Sequence, residues 1–553
     1  MLRHPLILTA ALLFGAALTM SPQARAATPT APLVQTAEGP VQGATRNGMN
    51  QFLGIPYATP PIGPLRWQPP KPHAAWTQPF AAAAFGKTCA QITELGVFAG
   101  PVSVSEDCLF LNVFTPAAAT AKAAKKLPVL VWIHGGGLFD GESNDYDAGA
   151  LVKGGPSGPT VVVTINYRLG LFGYLGHPAL DAEGHDFGNY GLLDQLEALR
   201  WVHRNIAAFG GDPGNVTVGG QSAGSTSTAA VMISPASAGL LHRAIFESGP
   251  LLTVAPRDLA ESRGAAFAKA AGCGEDATPA AATCLRALSV PKILSLQGTA
   301  AANGPYVTGL IVDGTVLPIP GDTAWSTGKF THVPVMNGGV KDEGAFAASI
   351  NELFFGPLSA EQYTELMTKT YSGPAGGGNG PPNYKPGTAD AVLAKYPLSA
   401  YPNPSLAWVA AGSDANLCRH AFLNNNASKF VALYAYEFAD RQAPWYFSAL
   451  SFAHGAAHTI DIQFLFPGWH GGPLGAAHKL TAPEETLSKQ LVAAWTNFMY
   501  TGNPNQTGDK PWPRYTAETA TYLSQNVPAS STMPAAAFLT AHNCAFWDTV
   551  LIY

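Results

Sequence analysis

The chain has little charge and gathers none of it into runs: Asp, Glu, Lys and Arg make up 12% of 553 residues, 31 of them basic and 36 acidic. With no basic stretch and no interleaving of aromatic with basic residues, nucleic acid is not an expected partner. Long apolar runs are also missing. The stretch PLILTAALLFGAAL near the N-terminus falls short of the roughly 20 residues that a spanning helix needs, so no membrane span is expected. There is no CxxC, no HExxH, no low-complexity linker and no repeat that would divide the chain.

What is present is a large apolar fraction, 47%, enough to bury a sizeable core. Arg3 and His4, the apolar run, and then QARA with Ala24 and Ala26 in small-residue positions read as a signal peptide over residues 1–26. Its removal near Ala26 makes the protein exported, secreted or periplasmic, with a single domain over residues 27–553. Six cysteines, Cys89, Cys108, Cys273, Cys284, Cys418 and Cys544, suit an oxidising compartment. Sequence proximity groups the first four as two close pairs and leaves Cys418 with Cys544.

Apolar strand-like runs recur with helical stretches between them: residues 127–134, 160–167, 215–220, 242–249, 333–339 and 429–438. That alternation predicts a largely parallel α/β sheet. The clearest helix is 191–209, with Leu192, Leu196, Leu199, Val202 and Ile206 near helical spacing, and the GGDPGN that follows has turn chemistry.

Ser222 sits between Gly220 and Gly224, where a β-branched run meets a helix start. A strand turning straight into a helix strains the junction residue and leaves no room for side chains two positions either side, so the serine hydroxyl is left exposed. The glycines of WIHGGGLFDG lie after a strand and let backbone N–H groups approach a substrate oxygen; Gly136 and Gly137, with the N–H of Ala223, are the expected oxyanion donors. For an orienting acid, GGVKDEGAF offers both Asp342 and Glu343, and for a base HGAAHTIDIQFLF offers both His454 and His458.

The chain resembles the type-B carboxylesterase/lipase family, the cholinesterase-like branch of the α/β hydrolases. The resemblance runs through residues 52–70, 106–116, 132–138, 189–213 and GGQSAGS at 219–225. It implies the α/β-hydrolase fold: an open, mostly parallel central sheet with helices on both faces and inserted loops and helices around an active-site gorge. The family's disulfide pattern resembles the pairing by proximity. Carried over residue by residue, Ser222 matches the nucleophile, Gly136, Gly137 and Ala223 the oxyanion donors, and Glu343 the catalytic carboxylate, leaving Asp342 a structural role. The family's His-x-x-acid spacing before an aromatic-aliphatic-aromatic triplet selects His458, followed by Asp461 and Phe464-Leu465-Phe466, over His454.

The resemblance implies a serine carboxylesterase acting on a small-molecule ester through an acyl-enzyme, with no cofactor and no metal. Two departures bear on substrate. Gln221 stands where many relatives carry Glu, and the short loop between Cys89 and Cys108 has no Trp to bind quaternary ammonium. Neutral, bulkier esters are therefore expected, with Leu138, Phe139 and Leu251 as pocket walls. A lipase or an aryl or hydroxycinnamoyl esterase fits the same pattern. The reading from another class is a non-catalytic binding or adhesion protein on this fold, which would typically have lost a triad residue.

Overall fold

The computed structural model describes residues 31–553 except 93–100, 120–124, 186, 251–253, 298–308, 373–383, 449, 470–474 and 506–510. The signal-peptide reading and Leu251 therefore lie outside the described residues, as does much of the loop between Cys89 and Cys108.

Among the described residues the central sheet has eleven strands. In chain order they are β1 (Ala44–Arg46), β2 (Met49–Pro56), β3 (Phe110–Pro116), β4 (Leu127–Ile133), β5 (Val161–Ile165), β6 (Gly211–Gln221), β7 (Arg243–Glu247), β8 (Val335–Val340), β9 (Leu433–Phe438), β10 (Thr521–Gln525) and β11 (Ser531–Pro534). Their spatial order is β11-β10-β9-β8-β7-β6-β4-β5-β3-β2-β1. From β5 to β10 every neighbouring pair is parallel, and antiparallel strands close both edges.

Each strand run expected from sequence appears as a strand, because a parallel sheet buried on both faces selects continuous β-branched and aromatic residues. The pleat sorts them: Val129, Val131 and Ile133 point into one core, while Leu130 and Trp132 point into the other. Helix α1 (Tyr190–Asn205) covers the first face with Leu192, Leu196, Leu199 and Val202 buried. A 3-10 turn, Ile206–Phe209, follows it and stops at Gly210, whose φ of 87° is open to glycine at little cost. One expectation is corrected here. GGDPGN is not a free turn: β6 already starts at Gly211, paired with Leu127 through a register shift that absorbs the irregular residues before Val216.

After β6 comes α2 (Ala223–Ile233), after β8 comes α3 (Ala345–Phe355), and α4 (Pro404–Ala427) leads into β9. Helix α5 (Ala482–Thr501) covers the second face, placing Trp495 against Trp132 at a ring separation of 6.0 Å. The last helix, α6 (Cys544–Val550), packs Trp547 with Tyr371 and Tyr396 in a third, smaller core.

Three disulfides join Cys89 to Cys108, Cys273 to Cys284 and Cys418 to Cys544. The last ties α4 to α6 across 126 residues of sequence, the loop for which chain-entropy stabilisation is greatest, about 5 kcal/mol. Beside it, buried His542 lies 3.1 Å by Nδ1 from Asp414 Oδ1 and 2.7 Å by Nε2 from Glu437 Oε1. Lys341 approaches the same Glu437 at 3.6 Å. Burial opposes a charge on the ring, but the hydrogen bonds to Asp414 and Glu437 outweigh it and raise the His542 pKa above the ordinary value.

Two predictions follow from these ties. Alkylation of the unreduced, denatured mature protein should label no cysteine, and reductant should expose all six; labelling before reduction counts against three bridges. A histidine whose pKa is raised on folding stabilises the fold in full below its unfolded value, near ~6.5, and loses that contribution as pH rises through the folded value. His542→Gln should therefore lower Tm by a few degrees more at pH 5.5 than at pH 9, measured by thermal melts at both values.

Candidate active site

Gly136, Gly137, Ser222, Ala223 and Glu343 lie just past the C-terminal ends of β4, β6 and β8, where open α/β sheets form their ligand crevices, and the chain beyond β9 brings His458 to Glu343. Ser222 is the single residue between β6 and α2, and it adopts φ 57° and ψ −124°, a conformation rarely open to a non-glycine residue. Its backbone is pinned on both sides. The N–H donates to Glu247 O at 2.8 Å, and its carbonyl accepts from Thr226 N at 3.0 Å. A Cβ on Gly224 would lie 1.9 Å from Ile133 O, and one on Gly220 would lie 2.5 Å from the same oxygen. Both glycines are thus demanded by the contact of the turn with β4.

The turn after β4 runs past the serine closely enough that a Cβ on Gly135 would stand 3.2 Å from Ser222 Cβ. Gly136 and Gly137 both take positive φ, 106° and 62°, and the turn is closed by Phe139 N and Asp140 N donating to Gly136 O at 3.0 and 2.8 Å. Ala223 opens α2, so its N–H has no partner within the helix.

Glu343 is buried just past β8. Its Oε1 accepts from Val340 N at 3.0 Å, and its Oε2 lies 2.5 Å from His458 Nδ1. The opposite ring nitrogen, Nε2, accepts from the Gln221 amide at 3.2 Å. Asp342, the neighbouring acid, turns the other way. It receives Arg441 Nε and Nη2 at 2.8 and 2.6 Å and the backbone N–H of Ala456 at 2.8 Å, while its own N–H donates to Ala456 O at 2.9 Å. It therefore clamps the loop that carries His458. His454 is directed away: its ring stacks on Trp445 at 5.2 Å and its Nδ1 lies 2.6 Å from Gly455 O, with burial lowering its pKa.

Beneath the serine lie two buried carboxyls. Glu247, which pairs with Gln221 across the β6–β7 ladder, is held well above the carboxylate range by burial and then by the charge of Asp461. Asp461 is pushed up to about 7 by burial and then by Glu343. Burial thus disfavours charge on both of these carboxyls. Nothing in the sequence signals Glu247, because its neighbourhood is set by strand pairing. His420, on α4, has its pKa lowered to about 3 by burial and then by His458, and its Nδ1 lies 2.9 Å from Asn337 Oδ1.

Ser222, Ala223, Gly137, Leu138 and His458 border one cavity of about 360 Å³. Of the expected walls, Leu138 lines it and Phe139 does not; the Phe139 ring packs over Gly137 instead. Thr226, Ser248, Asn416 and Arg419 are wall residues that sequence reading missed. A hydroxyl on a strained elbow, an imidazole held by a carboxylate and a glycine turn are parts from which acyl transfer can be assembled.

Comparison with known proteins agrees with this chemistry. Residues 30–547 match the model of the Carboxylesterase family. The chain is 33% identical to para-nitrobenzyl esterase of Bacillus subtilis (strain 168), covering 88% of this chain and 93% of that protein. It is also 33% identical to liver carboxylesterase 1 of Oryctolagus cuniculus, over 93% of each. Among solved structures, a thermophilic PNB esterase superposes with a TM-score of 0.74 at 29% identity, over 93% of this chain and 100% of that one. The chain has the α/β-hydrolase fold, belongs to the carboxylesterase family in its type-B branch, and is a carboxylic ester hydrolase.

Proposed function

We propose that the protein is an exported serine carboxylesterase with Ser222 as nucleophile, His458 as general base and Glu343 as the acid that orients it. The observation that carries this reading is the 2.5 Å contact of His458 Nδ1 with Glu343 Oε2 at the edge of the cavity that Ser222 also borders. That contact places the ring proton on Nδ1 and frees the Nε2 lone pair. The Gln221 amide stands 3.2 Å from Nε2, the nitrogen that receives the serine proton.

His458 Nε2 then accepts the Ser222 proton as the serine oxygen attacks the ester carbonyl. Glu343 stabilises the imidazolium, and the N–H groups of Gly136, Gly137 and Ala223 receive the oxyanion. The alcohol leaves with the proton returned by His458. Water, activated by the same imidazole, hydrolyses the acyl-enzyme. Choline esters are disfavoured by Gln221 and by the absence of Trp between Cys89 and Cys108. Residues 1–26 serve as the export signal, and residues 27–553 act as one catalytic domain. The disulfides suit an oxidising compartment, and no described helix is long and apolar enough to cross a membrane.

Ser222→Ala should reduce kcat on a nitrophenyl ester by on the order of 10⁶-fold with an unchanged melting transition; retention of a tenth of the activity would remove Ser222 from the mechanism. The two histidines separate by pH. A base must be neutral to accept a proton, so kcat/KM should fall tenfold per unit of pH below the base's apparent pKa. His458→Ala should lose both that limb and nearly all turnover, whereas His454→Ala should keep both. Paired pH–rate profiles decide it, and a dead His454 variant beside an active His458 variant reverses the assignment.

A further inference from the structure

One wall of the catalytic cavity has no part in the reaction as described. Asn416 and Arg419 stand one turn apart on α4 and border the same space as Ser222 and His458. Among the described residues Arg419 is the only Lys, Arg, Asp or Glu that lines it.

The guanidinium lies over the Tyr384 ring, 5.2 Å from its centroid, and has no hydrogen bond or ion pair to a described residue. Its Nη2 is buried without an acceptor, and Asn416 Oδ1 is buried without a donor. The α4 carboxylate nearest in sequence is engaged elsewhere: Asp414 Oδ2 accepts from Tyr396 OH at 2.7 Å and Asn543 Nδ2 at 2.9 Å, and Oδ1 faces His542. A cation partly removed from water without a counter-charge is costly to the fold, and the cost is offset when an anion reaches it. A carboxylate is the anion whose geometry matches a guanidinium edge.

We propose that the preferred substrates are esters that carry a carboxylate, bound by Arg419 while the ester carbonyl lies at Ser222. The inference rests on the serine-esterase reading and replaces the expectation of neutral esters, because α4 brings Arg419 to the cavity. Because both residues border the same cavity, esters with a short spacer between ester and carboxylate are the substrates to compare.

The test uses the full mature enzyme at low salt and compares matched pairs of esters. Monoethyl glutarate against ethyl valerate places the charge on the acyl side. The ester 4-(butyryloxy)benzoate against its benzamide places it on the alcohol side. In one of the two pairs, the wild type should favour the charged ester in kcat/KM by about 10- to 100-fold, mostly through KM. Arg419→Gln should bring that ratio near unity, and Arg419→Lys should retain part of it. The pair that responds identifies the side of the ester that faces α4. The proposal is overturned if the wild type favours neither charged ester, or if the ratio survives in Arg419→Gln. Should the Gln variant not fold, an undiminished ratio in Arg419→Lys overturns it equally. Failure of the wild type to hydrolyse any of the four esters, or hydrolysis that persists unchanged in Ser222→Ala, sinks the serine-esterase reading instead.

Discussion

The rest of the site depends on one steric constraint: β6 must become α2 within a single residue while lying in backbone contact with β4. Gly220 and Gly224 both face Ile133 O at distances no Cβ allows. That contact brings three things together that are far apart in sequence: the serine, the first N–H groups of α2, and the glycine turn after β4. Ser222 bears the cost in an unfavourable φ of 57°, of order 1–3 kcal/mol, and its hydrogen bonds to Glu247 and Thr226 hold it there. A methyl group at either glycine would separate α2 from β4 and move Ser222 away from the glycine turn after β4.

The histidine is held by a different device. His458 lies on a loop beyond β9 rather than at a strand end, and such a loop needs external fixation. Adjacent acids divide that task. Glu343 reaches the imidazole, and Asp342, paired with Arg441, grips the backbone at Ala456. The two side chains leave the turn after β8 toward different partners, so one acid serves the ring and the other its support. Burial also raises the pKa values of Glu247 and Asp461, so charge is disfavoured on both.

Much of this was legible in the residue order, wherever the cause is local. The β-branched runs give the parallel strands, the spacing of Leu192, Leu196, Leu199 and Val202 gives α1, and the glycines about Ser222 announce the elbow before any coordinate is known. The choice of Glu343 over Asp342, and of His458 over His454, came from resemblance, since each pair is chemically equivalent on paper; in the structure the members of each pair face opposite ways. Where local chemistry competes with pairing, sequence reading failed. GGDPGN has the composition of a turn, yet β4 recruits Gly211 into the sheet.

The sequence by itself determined the strand and helix pattern, the sharp turn at Ser222 and the small set of candidate residues for the proposed chemistry, because backbone sterics and side-chain chemistry are properties of neighbouring residues. Tertiary structure alone decided what surrounds them. Glu247 lies beneath the serine through strand register, Phe139 leaves the cavity to cover Gly137, and Arg419 enters it from a helix nearly two hundred residues along the chain from Ser222. Such neighbourhoods arise from how the sheet and α4 pack, and no short stretch of sequence contains that information.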